Sequence, residues 1–201
     1  MVSLGVRNPE ATKARILKKS GALFNTQGYK ATSISDITDV TGFTKGAIYR
    51  HFDNKAELER ETLSYLSAQV FVHLRDLIKE KQTAGDKLRA IFQFFESYIS
   101  KPPIKGGCPL LNAAIEADDA HPVLRKEALK TLTILRASVI TILDNGITHG
   151  QIKSSLNKNF FATLIIAVLE GGIMMSKLEG NDKDIRSMIQ HLNEMLKTIE
   201  Q

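Results

Sequence analysis

Apolar residues recur every three or four positions along almost the whole chain, and no stretch alternates with period two. Both facts predict helices throughout and no sheet. The first helix spans about 10–27, burying Ile16, Leu17, Leu23 and Phe24 while Lys13, Lys18 and Lys19 face outward. Two short helices follow, and then a long one over 55–80 with Leu58, Tyr65, Leu66, Val70, Leu74 and Leu77 inward. At 1.5 Å per residue the long helix can bridge two lobes. The next, at 86–100, carries Leu88, Ile91, Phe92, Phe95 and Ile99 on one face. The segment KPPIKGGC at 101–108 holds two prolines and two glycines, so it must be a loop. Pro109 suits the first turn of a short helix ending near Ala117. A helix at 122–146 is apolar nearly all round and should be central. Two amphipathic helices, at 157–178 and 182–199, end the chain. The expected fold is all-α with about nine helices, divided into an N-terminal three-helix domain at 1–54 and a second helical domain at 55–201.

The segment 32–55, TSISDITDVTGFTKGAIYRHFDNK, is the most informative stretch. Ser33 is a good N-cap and Asp36 can reach back to a free amide. Ile34, Ile37 and Val40 give one buried face, and Gly42 suits the left-handed position that ends a helix. Thr44 can cap the following helix, in which Ile48 and Phe52 point inward and which carries Lys45, Tyr49, Arg50 and His51. Asn54 with Glu57 forms a third capping pair. Two helices joined by a Gly-containing turn make a helix-turn-helix, whose second member fits the DNA major groove.

Each outward residue suits that task. Lys45 can donate to guanine O6 and N7 or to a phosphate, while Gly46 and Ala47 let the backbone approach the groove floor. Tyr49 and His51 can donate to phosphate oxygens. Lys55, in the first turn of the long helix, would add a charge to the anion site formed by free amides. Thr32, Ser33 and Thr44 are caps that also stand within reach of phosphate. Arg50 faces either the duplex or the protein, and the sequence does not decide between them.

The same stretch resembles the TetR family of bacterial transcriptional regulators. The resemblance is carried by Phe24, Gly28, Tyr29, Thr32 and Ser33, then by Gly42, Lys45, Gly46, Tyr49, His51, Phe52, Asn54 and Lys55, across roughly residues 10–60. It implies a phosphate contact for Tyr49, a nine-helix fold and a small-molecule sensor in the second domain. The segment Gly107-Cys108-Pro109-Leu110-Leu111-Asn112 is similar to one found in several members.

Charge agrees with a nucleic-acid partner. Residues 1–60 hold 10 Lys/Arg against 6 Asp/Glu, and residues 61–201 hold 17 against 16, so most of the net +5 lies near the helix-turn-helix. The single cysteine, Cys108, precludes an internal disulfide and fits a reducing cytoplasm. The N-terminal MVSLGVRNPEAT has no apolar leader core, and the apolar run at 160–169 is too short to span a bilayer before Glu170 interrupts it. The expectation is a cytoplasmic protein without a membrane partner.

Glu116, Asp118, Asp119 and His121 cluster at a helix end, but they read better as a helix stop and start than as a metal site. The five histidines are scattered and no catalytic constellation appears, so no metal, cofactor or enzymatic activity is expected. Cys108 lies at a helix start, where the dipole can lower a thiol pKa, although a pocket wall is the plainer role. Phe92, Phe95, Tyr98, Cys108, Leu111, Leu135 and Met174 are candidates for lining an apolar ligand pocket. Phe161, Leu164, Ile165, Val168 and Leu169 on one closing helix, with Ile185, Ile189, Leu192 and Leu196 on the other, offer an isologous homodimer interface. The expected function is a repressor released from a palindromic operator by a small apolar or amphipathic ligand. The alternative is a DNA-binding protein whose second domain only dimerises.

Overall fold

The computed structural model describes residues 8–117 and 120–201. The readings made above on the N-terminal leader and on Asp118 and Asp119 fall wholly or largely outside them. The described residues form nine helices: α1 Pro9–Gln27, α2 Ile34–Thr41, α3 Lys45–Ile48, α4 Lys55–Ile78, α5 Ala84–Ser100, α6 Pro109–Ala117, α7 Pro122–Thr148, α8 Lys158–Glu179 and α9 Lys183–Ile199. Apart from one isolated bridge between Ile152 and Glu200, no extended pairing occurs among them.

Local chemistry sets most of these boundaries. The side chains of Asn8, Ser33, Thr44, Asn54, Thr83 and Asn157 each accept a backbone N–H in the first turn of the helix they precede. Ser33 and Asp36 form a reciprocal capping box. Gly42 and Gly180 end α2 and α8 in the left-handed conformation.

Helix α5 is the centre of the larger lobe, touching α4, α7, α8 and α9. It buries Leu88, Ile91, Phe92, Phe94, Phe95 and Tyr98. Each such side chain contributes about 1.5–3 kcal/mol by leaving water. The apolar character of α7 had suggested that helix for the centre. It instead packs one face on α4, α5, α6 and α8 and leaves Val123, Leu129 and Ile134 exposed. Helix α4 packs on α1 at one end and on α5, α6 and α7 beyond, joining the two lobes. Two expected inward residues, Val40 and Leu77, are exposed, because each faces away from the neighbouring elements while the next residue of its helix, Thr41 or Ile78, packs inward.

Helix α8 is long and apolar enough to cross a membrane by composition. Its inner face is spent within the subunit. Phe161, Ile165 and Leu169 of α8 and Ile185, Ile189, Leu192 and Leu196 of α9 are buried in this single chain, while Leu164 and Val168 are half-buried. Gly172 lets Ile185 approach closely, and Ser176 Oγ accepts the Ile185 N–H at 3.0 Å. These residues were expected to meet a second subunit. All but Leu164 and Val168 are core within one chain, since α8 and α9 turn their richest faces onto each other and onto α5. The outer face of α8 remains apolar: Phe160 is 63% exposed, Met174 41% and Leu178 82%.

Candidate nucleic-acid interface and interior chamber

Helices α2 and α3 are held from behind by Ile37, Ile48 and Phe52, all almost fully buried. Arg15 of α1 donates to the Thr41 carbonyl at 3.3 Å and stacks on Phe43, fixing the turn between them. The regular part of α3 is shorter than expected. Tyr49 is its C-cap, and Arg50 and His51 stand in the tight turn closed by His51 N–H donating to Ile48 O. On the outer surface lie Thr44, Lys45, Gly46 and Arg50, with Ala47, Tyr49 and His51 half-exposed beside them. The Lys45 ammonium sits 5.9 Å from the Tyr49 ring centroid, one helical turn away. A side chain added at Gly46 would meet nothing within 4 Å, and its backbone does not need glycine. The fold therefore gives no internal reason for a glycine there.

Two of the candidate contacts are occupied inside the protein. Thr32 is fully buried and its hydroxyl donates to Gly28 O at 2.7 Å, closing the corner between α1 and α2. The Lys55 ammonium donates to Tyr29 O at 2.8 Å and pairs with Glu59 at 3.0 Å. Glu59 is 3% exposed and also bonds His121 Nε2, so its buried carboxylate needs both partners. Lys55 is a structural residue of the corner. Ser33 is exposed with its hydroxyl engaged in the capping box.

The corner is also tied to the large lobe by a set of bonds that sequence reasoning missed. The buried Asn25 donates through Nδ2 to Lys105 O at 2.9 Å and Gly107 O at 2.8 Å. Asn112 returns its own amide to Asn25 O and Oδ1 and to Gly106 O, at 3.0–3.1 Å. Lys177 Nζ donates to Gly106 O at 2.6 Å. Glu116 accepts the N–H groups of Tyr29 at 3.0 Å and Lys30 at 2.9 Å, capping the chain as it leaves α1. Glu116 and His121, considered above for a metal, are thus engaged with protein groups, and the described residues hold no metal-ligating cluster. Gly106 has φ +101°, and a Cβ there would collide with the Asn25 carbonyl. Gly106→Ala should lower stability by about 1–3 kcal/mol through strain and loss of the tie, which a urea melt would measure. A midpoint equal to that of the unaltered protein would refute the close approach.

Beyond this tie lies a small chamber of about 20 Å³, walled by α4, α5, α6, α7 and α8. Phe95, Tyr98, Cys108 and Leu135 are on its walls, joined by Ser67, Val70, Phe71, Pro109, Leu110, Thr131 and Glu170. Phe92 is core and not on the wall, Leu111 is half-buried against the core outside the lining, and Met174 is on the outer surface of α8, one step past the buried Ile173. The Ser67 and Thr131 hydroxyls bond each other at 3.2 Å. Tyr98 Oη and Glu170 Oε2 are buried with no hydrogen-bond partner among the described residues. Cys108 Sγ donates to Glu170 Oε1 at 3.0 Å. Burial pushes the Glu170 carboxyl up to about 7. Burial, reinforced by Glu170, pushes the Cys108 thiol well above its usual value. The expected lowering at the helix start is present as two backbone N–H contributions, from Leu111 and Leu110, and is outweighed. Glu170 was missed as a site residue. Its signal was a lone carboxylate inside the apolar run of α8.

A capped helix pair with a basic, aromatic outer face, joined to a helical lobe with an interior chamber, defines a helix-turn-helix transcriptional regulator. Residues 16–62 match the family described as bacterial regulatory proteins, tetR family, and residues 84–192 match the tetracyclin repressor-like C-terminal domain. The chain belongs to the TetR family. A TetR transcriptional regulator from Chloroflexus aurantiacus superposes with TM-score 0.92 and 33% identity, over 97% of this chain and 98% of that one. The regulator YxaF of Bacillus subtilis is 30% identical over 86% of this chain and 87% of its own. The repressor DhaR of a Mycobacterium species is 23% identical over 92% and 91%.

Proposed function

We propose that this protein is a homodimeric repressor that binds a roughly palindromic operator and leaves it when a small molecule occupies the chamber. The observation that carries the reading is the shared structure between chamber and reading head. Cys108, Pro109 and Leu110 wall the chamber, and the backbone just before them, Lys105–Gly107, is what Asn25 grips. A molecule that widens the chamber by displacing this segment or α4 moves an element that holds the head. Occupied and empty forms then differ in the spacing of the two recognition helices, which must sit roughly 34–36 Å apart to read successive major grooves. The division of labour falls at about Asn54, with 1–54 reading DNA and 55–201 sensing and dimerising, in the cytoplasm where the operator lies. The repressors among the relatives support the sign of regulation.

On DNA, Lys45 reaches a base edge or phosphate, and Tyr49, Thr44, Ser33, Arg50 and His51 serve phosphates. Gly46 and Ala47 keep the approach low. Tyr49→Phe should weaken binding to every sequence by about 1 kcal/mol per half-site. Lys45→Ala should weaken it and also relax the preference at one base position. Footprinting and mobility shifts across a salt series test both, with log K falling steeply against log salt. A double variant of Tyr49→Phe and Lys45→Ala that binds operator normally would exclude this surface. Operator release by no molecule that enters the chamber would favour a purely dimerising second domain.

A further inference from the structure

We propose that the chamber selects an organic cation: a compact apolar or aromatic body carrying one positive nitrogen, which pairs with the Glu170 carboxylate among the rings of Phe71, Phe95 and Tyr98. The inference rests on the reading of the chamber as the effector site. Its grounds are the polar groups that the fold leaves open. The Ser67 and Thr131 hydroxyls satisfy each other, and Cys108 takes one oxygen of Glu170. The second oxygen, and the Tyr98 hydroxyl, remain without a partner although buried. A buried carboxylate without a counter-charge is costly, so a cation that pairs with it gains what the free protein forgoes. No lysine, arginine or histidine stands on the walls. A carboxylate, phosphate or sulfate would therefore face a like charge with no counter-charge. A cation finds a carboxylate and the negative faces of aromatic rings, two of which, Phe95 and Tyr98, are stacked with centroids 5.5 Å apart.

Access runs along α4. The chamber itself, at about 20 Å³, has room for about one water. Val70, half-buried on its wall, also borders an open groove of about 650 Å³ that includes Tyr65, His73 and Ile104. A ligand arriving in this groove enters by pushing Val70 and Phe71 aside, and so moves the helix that carries Lys55.

The pH dependence is fixed by the wall chemistry. The titratable groups facing Glu170 are Cys108 and Tyr98, both pushed up by burial and neutral near pH 7. Helices α4 and α7 bring only hydroxyls and apolar groups to the walls. Glu170 alone changes charge, and a permanent cation should bind about tenfold more tightly at pH 8 than at pH 6.

The test uses the full-length protein and three probes of similar shape: phenyltrimethylammonium, its neutral isostere tert-butylbenzene, and benzoate. Calorimetry should show the cation binding at least tenfold more tightly than either other probe, with the stated pH trend. Glu170→Gln should remove that preference while leaving tert-butylbenzene unaffected. Equal binding of the neutral isostere, preference for benzoate, an unaltered preference in Glu170→Gln, or no cation binding at millimolar concentration would each overturn the proposal. Because the charge preference is first read in the unaltered protein, it does not depend on how the variant folds. Operator release is scored separately. Glu170-dependent binding without release would leave this site standing and defeat the effector reading. Release by neutral molecules, indifferent to Glu170, would do the reverse.

Discussion

Replacing Phe160 and Leu178 together by glutamate is expected to give a helical monomer that has lost operator binding. The two side chains are 63% and 82% exposed, and with Ala167 and Met174 they form one stripe down the outer face of α8. Spacings of seven, seven and four residues keep that stripe on one side of the helix. Its inner face is already covered by α5 and α9, so a second subunit's α8 is the proposed cover. Four buried charges at the two-fold axis would prevent that contact. Each head would then bind its half-site alone, and losing the second site lowers affinity by about 10²–10⁴-fold. Sedimentation, circular dichroism and mobility shift together check the result. Retained dimerisation with normal operator binding would defeat the interface. The corresponding change at Leu169 and Leu192 should unfold the subunit, because those residues are 1% and 0% exposed within one chain.

Glu170→Gln should stabilise the protein above neutral pH and do little near pH 4.5. The folded carboxyl, pushed up to about 7 from an ordinary 4.5, resists ionisation because it is buried. In the unfolded chain it ionises freely. As pH rises from 4.5 to 7 the unfolded state gains stability from that ionisation, and the folded state does not. The cost reaches on the order of 3 kcal/mol and stays level above pH 7. Glutamine has no charge to lose water over and keeps an oxygen for the Cys108 thiol. Urea melts at pH 5, 6, 7 and 8 should show the difference between variant and parent widening and then levelling. A difference that is constant with pH, or that shrinks, would show that Glu170 ionises in the fold as readily as outside it. A carboxyl kept at such a cost in an otherwise uncharged lining is what a binding group looks like, since stability alone would favour glutamine or leucine there.

The helices were legible because their signals are local. Caps at Asn54, the Ser33–Asp36 pair and the glycine at 42 fixed ends within a residue or two, and the period of the apolar residues fixed the class. What failed depended on partners. The pattern shows that a face of α8 or α9 is apolar, but not whether its cover comes from the same chain. The α8–α9 pairing took the richest faces and left Phe160 and Leu178 outside. The same limit hid the role of Lys55, whose ammonium is claimed by a carbonyl 26 residues earlier and a carboxylate one turn later. It hid the Asn25–Asn112 contact as well, which spans 87 residues. Of the chamber, the aromatic walls on α5 could be guessed from burial, whereas Glu170 looked like an interruption of an apolar run.

The bonds that Asn25, Tyr29 and Lys30 make with Asn112, Glu116 and the glycine loop also bear on how such regulators diversify. The chain looks modular, with a short reading head that ends where α4 begins. A recombination joint at that point would nevertheless separate Asn25 from Asn112, and Glu116 from the Tyr29 and Lys30 amides and from Gly28, where an added Cβ would meet its carboxylate. A transplanted head would arrive with its own surface intact and its connection to the larger lobe severed. In this chain the head is therefore expected to be exchangeable only as a matched set with the body, residues 25, 28, 106, 112 and 116 moving together.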